Sequence, residues 1–139
     1  MSIYVEDIKK LGTVKVEGNT VKVFTSPENL REVIRNIRDS GYDTILAITV
    51  IDAPHRGKMI LRYVLGTRSL ERSGRAIVYV GVRRDRAEVP TICDIYPFAD
   101  YLERECFEMY GVRFSGNERC RGTFFLDRSL EGRFPHRKL

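Results

Sequence analysis

Apolar and polar residues alternate through Thr13-Val14-Lys15-Val16-Glu17 and again through Thr20-Val21-Lys22-Val23-Phe24, on either side of Gly18-Asn19. That period of two, broken by a turn dipeptide, predicts an antiparallel hairpin. The pattern then changes: Leu30, Val33, Ile34 and Ile37 recur at helical spacing, with Arg31, Glu32, Arg35 and Arg38 on the other side. Ser26-Pro27-Glu28 supplies a cap, a first-turn proline and an acid at the positive end of the helix dipole, so the helix is expected to start there and stop at Gly41. Asp43 to Asp52 encloses a run apolar on both faces and rich in β-branched residues, which predicts the central strand of a sheet. Asp52 to Gly57 reads as a turn. Two further strands follow, through Met59, Leu61, Tyr63 and Leu65 and from Ala76 to Val82, separated by a loop at Ser69 to Gly74.

From Pro97 the helical period returns, with Phe98, Tyr101, Leu102, Cys106, Met109 and Val112 forming an apolar stripe and Glu103, Arg104 and Glu108 mainly on the polar side. Beyond Gly111 the chain is punctuated by Gly116, Gly122, Gly132 and Pro135 and reads as a projecting, extended arm. The order of elements predicts an α+β fold: a small mixed sheet packed with helices, at 1–112, and an extended basic C-terminal arm of the same domain, at 113–139.

Composition adds where this arm goes. The 139 residues carry 24 Lys and Arg against 19 Asp and Glu, a net +5. From Arg113 onward seven basic residues face three acidic ones, so +4 of the excess lies in the arm. Such a patch suits an acidic partner, phosphates or an acidic membrane face. The Arg83-Arg84-Asp85-Arg86 run reads as a solvated strand end. The longest stretch without a charged residue is eight, Thr44 to Ile51, against about 20 for a membrane-spanning helix. The N-terminus lacks the pattern of a secretory signal, so a cytoplasmic setting is expected.

The candidate chemistry is sparse. Cys93, Cys106 and Cys120 form no C-x-x-C pair, His55 and His136 belong to no ligand cluster, and the glycines form no phosphate-binding loop. Glu103 and Glu105 stand at i and i+2, pointing in different directions on a helix, so they make a poor acid–base pair. They read better, with Arg104, as groups that fix the helix to its neighbours. No catalytic, cofactor-binding or metal-binding residue is expected in this chain.

Two blocks of the C-terminal part do carry a resemblance. Glu103-Arg104-Glu105, Glu108-Met109-Tyr110-Gly111-Val112 and Phe114-Ser115-Gly116 form the first, and Glu131-Gly132-Arg133-Phe134-Pro135-His136-Arg137-Lys138 the second. Together they resemble the signature of the thirty-kilodalton subunit family of respiratory complex I, which has homologues in membrane-bound nickel–iron hydrogenases. Glu108, Tyr110 and Val112 are conservative variants of that pattern. Asn117-Glu118, Gly122 and Phe125-Leu126-Asp127 depart from it, and the chain stops just after Arg137-Lys138, as expected of compact hydrogenase-like or ferredoxin-dependent complexes.

The resemblance implies a cofactor-free, non-catalytic subunit of a respiratory oxidoreductase complex, peripheral on the cytoplasmic face of the cell membrane. Its expected partners are a hydrogenase-large-subunit-like catalytic chain and an iron–sulfur small subunit, with ion-translocating membrane chains contacted indirectly. Iron–sulfur clusters, and nickel–iron in the hydrogenase branch, are expected in those partners. The residues expected at the interface are Glu103, Arg104, Glu105, Tyr110, Phe114, Arg119, Arg121, Arg133, His136, Arg137 and Lys138. Two other readings compete: a small basic nucleic-acid-binding domain using Tyr110, Phe114 and Phe124 for stacking, and a thiol enzyme using Cys106 or Cys120.

Overall fold

A computed structural model describes residues 5–68 and 74–138, so most of the loop expected at Ser69–Gly74 lies outside the described residues. A short helix α1 (Val5–Lys9) leads into the hairpin β1 (Gly12–Glu17) and β2 (Thr20–Thr25). Helix α2 (Leu30–Asp39), strands β3 (Thr44–Ala53), β4 (Lys58–Gly66) and β5 (Arg75–Arg83), and a short strand β6 (Glu88–Pro90) follow. Helix α3 (Ala99–Tyr110) and strand β7 (Arg113–Ser115) precede an arm whose one described helical element is a 3-10 turn at Arg128–Leu130.

The five long strands form one mixed sheet in the order β1-β2-β5-β4-β3. All its pairings are antiparallel except β2 with β5. The apolar strand β3 is therefore an edge, and β5 occupies the centre. The doubly apolar pattern of β3 predicts burial on both faces, yet Leu46 and Ile51 on its outer side are 44% and 47% exposed. Only its inner residues Ile45, Ile48 and Val50 join the core.

That core lies on one face of the sheet, where Val23, Ile48, Leu61, Tyr63, Leu65, Val78 and Val80 meet α2 and α3. Helix α2 buries Leu30, Val33, Ile34 and Ile37, the residues its spacing marked. It begins one turn later than Ser26-Pro27 suggests, because residues 27–29 form a turn and the helix opens at Leu30 with Asn29 as its cap position. The Asn29 side chain instead donates to the Leu11 carbonyl at 3.2 Å, tying the helix entry to the hairpin. Among the described residues, no helix covers the other face of the sheet.

Helix α3 departs further from expectation. It starts at Ala99, just after Pro97, and ends at Gly111 in the left-handed conformation (φ 77°). Its inward residues are Ala99, Glu103, Cys106 and Glu108, while Phe98 and Tyr101, assigned to the apolar stripe, are exposed. The reason is what surrounds it. Cys106 faces β3, its thiol 3.4 Å from the Ile48 carbonyl, and the two glutamates serve the β6–β7 region and the arm. Residues 113–115, placed by the sequence in the arm, form β7 and pair in parallel with β6.

Candidate partner-docking surface of helix α3 and the arm

Glu103 is fully buried, at the junction of α3 with the strands β6 and β7. Its carboxylate accepts from the Thr91 hydroxyl at 2.5 Å, the Ile92 N–H at 2.9 Å and the Asn117 amide at 2.9 Å. Burial pushes its pKa above the usual carboxylate value, and those three donors oppose the rise. Glu103 therefore anchors the surface from beneath and has no solvent face to offer a partner. Phe114, 3% exposed on β7, is likewise interior. These two expected interface residues are corrected to structural supports.

Glu108 performs the matching task for the arm. Its carboxylate accepts from the backbone N–H groups of Phe124, Phe125 and Leu126 at 2.7 to 3.1 Å. Three consecutive N–H groups converging on one carboxylate make an anion nest, so a charge expected on the polar side is buried to hold a loop.

The second motif block closes onto the first. The Phe134 ring lies so near Gly111 that an added Cβ there would sit 3.0 Å from it, and Phe134 also meets Phe107 edge-on at 6.5 Å between centroids. Gly111 is required twice, by its positive φ and by this ring. The His136 N–H donates to the Met109 carbonyl at 3.0 Å, and its imidazole stands edge-on to Tyr110 at 5.6 Å. Arg137 donates to the Arg84 carbonyl at 2.6 Å. Arg84 in turn forks onto the Asp52 carboxylate at 2.7 and 3.2 Å and donates to the Lys138 carbonyl, while the Lys138 N–H donates to Asp52 at 2.7 Å. The arm thus folds back over α3 to the ends of β3 and β5 instead of projecting.

Asp52 and Arg84 are anchors that the sequence does not mark. Its pattern puts Arg84 in a solvated strand end, but the Arg84 side chain is 22% exposed against a nearly inaccessible Asp52. The one signal is an acid at the end of an apolar strand, without any local cue to its partner 32 residues on.

What remains outward is a mixed surface. Glu105, Arg119, Arg121, Arg133, His136 and Lys138 are exposed, and Arg104, Tyr110 and Arg137 are half-buried. Arg119 and Arg104 share Asp100, at 3.3 and 3.8 Å. Arg104 also covers the Phe124 ring, its guanidinium carbon 3.7 Å from the centroid. Phe98, Tyr101, Phe124 and Phe125 continue from it as a chain of stacked and edge-on rings, with Phe98 and Phe124 more than half exposed. Aromatic residues beside arginines, rimmed by charge, are the composition of protein-binding surfaces.

Cys106 and Cys120 are not set up as activated thiols. Burial pushes the Cys106 thiol far up and the Cys120 thiol up to about 12, so neither supplies thiolate near neutrality. Among the described residues no group of three or more His, Cys, Asp or Glu is placed to hold a metal ion, and no helix is long and apolar enough to cross a membrane.

Comparison with known proteins agrees with this geometry. The model of the family "Respiratory-chain NADH dehydrogenase, 30 Kd subunit" matches residues 23–139. An NADH-quinone oxidoreductase subunit of Neorickettsia sennetsu is 36% identical over 114 residues, covering 81% of this chain and 59% of that protein. The equivalent NADH-quinone oxidoreductase subunit of Rhodobacter capsulatus is 30% identical over 111 residues, covering 76% and 53%. This chain therefore spans somewhat over half the length of those relatives. Among solved structures, a chain of the membrane-bound sulfane sulfur reductase, an archaeal respiratory membrane complex, superposes with a TM-score of 0.84 at 30% identity, over 96% of this chain and 81% of that one. A trypsin-resistant fragment of Nqo5 shares the fold, with a TM-score of 0.68 at 22% identity over 81% of this chain and 93% of that one. On the family match and the α3–arm unit that its motif builds, the chain belongs to the respiratory-chain NADH dehydrogenase 30 kDa subunit family.

Proposed function

We propose that this chain is a non-catalytic subunit of a complex I-like membrane oxidoreductase, and that the α3–arm surface docks it onto the complex. The observation that carries this is the collapse of both motif blocks into one surface. Glu108, Gly111 and the Asp52–Arg84 pair are spent on holding the arm, leaving Glu105, Arg121, Arg133, His136 and Lys138 outward beside exposed aromatics.

The expected occupants are a hydrogenase-large-subunit-like chain and an iron–sulfur small subunit, which carry the clusters and the redox chemistry. The membrane chains that move ions are then reached only through them, and this subunit lies on the cytoplasmic face. Electron transfer and ion translocation belong to those partners. Arginine forks to carboxylates and desolvated aromatic anchors supply the affinity.

Purification from native membranes in gentle detergent, through a tag on this chain, tests the reading. Recovery of a large and an iron–sulfur subunit with the wild type, and their loss with Arg121→Glu/Arg133→Glu/Lys138→Glu, is the expected result. A monomer without partners, or nucleic acid alone, overturns it.

A further inference from the structure

The strand registers place an unusual set of charges on the helix-free face of the sheet. Side chains directly across from one another share a face, so two cross-sheet rows run Lys15, Lys22, Ile77, Val64 and Thr13, Phe24, Tyr79, Arg62, Thr49. Further rows hold Gly81, Ile60 and Ile51, then Arg83, Lys58 and Ala53, then Glu17, Thr20 and Arg75. Six cations (Lys15, Lys22, Lys58, Arg62, Arg75, Arg83) thus stand on this face; Lys22 is neutralised by Glu17 at 3.1 Å and Arg83 by Asp85 at 2.8 Å, which leaves Lys15, Lys58, Arg62 and Arg75 as the excess among the described residues. Asp52, the other acid of the five strands, lies on the opposite face with Arg84.

Within this basic field is an apolar groove of about 520 Å³ lined by Phe24, Ile51, Ile60, Tyr79 and Gly81, with Arg56 and Lys58 at its edge. Phe24 and Ile51 are 40% and 47% exposed. A Cβ added at Gly81 would meet nothing within 4 Å, so the groove floor has room for an incoming side chain. Among the described residues neither Lys58 nor Arg62 has a carboxylate within ion-pair distance. Apolar floor and uncompensated cations together define the complement they lack.

We propose that the open sheet face is a second docking surface, whose occupant is an acidic segment of a partner polypeptide. Its apolar side chains seat over Gly81, Ile60 and Ile51, and its carboxylates meet Lys58, Arg62 and Arg56. A basic, aromatic sheet face also suits single-stranded RNA, but base stacking needs free ring faces. Here Tyr79 stacks on one side of Phe24, at 4.8 Å and 10° between planes, and Lys15 covers its other side at 5.8 Å. The Phe24 ring, the exposed aromatic of this face, thus has neither side free for a base, which favours the polypeptide. This surface is separate from the α3–arm surface and does not depend on what docks there.

The test places a photo-crosslinking phenylalanine analogue at Ile51 of the tagged full chain, irradiates native membranes and reads the crosslinked peptide by mass spectrometry. A peptide with Asp or Glu flanking apolar residues is expected. Its yield should fall about tenfold or more in Lys58→Glu/Arg62→Glu, since opposed charges now meet like ones. Gly81→Leu fills the groove and should lower the yield similarly, with an unchanged circular dichroism spectrum. Crosslinking to RNA, to a second copy or to a neutral or basic segment, no crosslink at all, or a yield indifferent to these variants overturns the proposal. The Arg121→Glu/Arg133→Glu/Lys138→Glu chain separates the two surfaces: loss of α3–arm docking there with the Ile51 crosslink retained leaves this proposal standing.

Discussion

The carboxylate of Asp52, at the end of β3, accepts the backbone N–H of Lys138 at 2.7 Å, joining positions 86 residues apart. The Arg84 guanidinium beside it holds the Asp52 carboxyl below the usual carboxylate range, helped by that N–H. A pKa lowered in the folded state means that the clasp's contribution is fully present above the unfolded value, about pH 4, and lost as pH falls through the lower folded value. Asp52→Asn should release the end of the arm, raising the rate of tryptic cleavage at Arg133 and Arg137 about tenfold, as local opening becomes easier. The wild-type arm should keep this protection at pH 4 and lose it only as pH falls through the lowered Asp52 value, read by hydrogen exchange at the Lys138 amide, with Asp52→Asn already unprotected at neutrality.

Glu103 titrates with the opposite sign. Its folded pKa is raised by burial, so its contribution to stability is greatest below the unfolded value and declines as pH rises through the folded one. Its three donors nevertheless need an acceptor. Glu103→Gln turns an amide N–H toward the Ile92 N–H or toward Thr91 and Asn117, and leaving one buried group unmatched costs about 1–3 kcal/mol. Urea denaturation should show that loss at pH 7, with a flatter pH profile than the wild type as pH rises from the unfolded carboxylate value, about pH 4, through the raised folded one.

The Glu108 nest gives a clean separation of arm from core. Glu108→Ala strands the N–H groups of Phe124, Phe125 and Leu126, and hydrogen exchange at these three amides should accelerate by an order of magnitude or more, about 1.4 kcal/mol per tenfold. Exchange in β4 and β5 should change little. Equal acceleration throughout would show that the arm and sheet open as one unit.

Alkylation distinguishes the cysteines. Cys93 and Cys120 are half-buried and Cys106 is buried, and burial pushes the Cys106 and Cys120 thiols up. Iodoacetamide on the native protein should label Cys93 first, with Cys106 modified only after unfolding, as read by mass spectrometry. Rapid labelling of Cys106 or Cys120 at pH 7 would revive the thiol-enzyme reading.

The hairpin, the α2 stripe and the strands are legible because their periodicities follow from local sequence and a two-sided environment. Strand order is not. The apolar run of β3 looks central, and only the pairing of β2 with β5 pushes it to the edge. The motif blocks around Glu103–Gly116 and Glu131–Lys138 locate the arm unit, but the pattern cannot tell inward from outward acids. Glu103 and Glu108 sit among charged neighbours in sequence and among backbone donors in space. The Asp52–Arg84 pair has no local signature. The sheet's basic face is equally hidden, since its six cations are scattered over four strands and meet only through the register.

The parallel pairing of β2 with β5 has a kinetic consequence. Strands β3, β4 and β5 are successive neighbours and can zip as a meander over short loops, but Thr20 must find Arg75 across 55 intervening steps of chain. Loop closure over such a distance is slow and unrewarded until both partners are formed. The N-terminal hairpin is therefore expected to dock late, onto a meander already in place. Until it does, the edge of β5 stands open as a template for a stray strand. A growing chain is most exposed to mispairing in that interval, after β5 has emerged and before β2 has reached it.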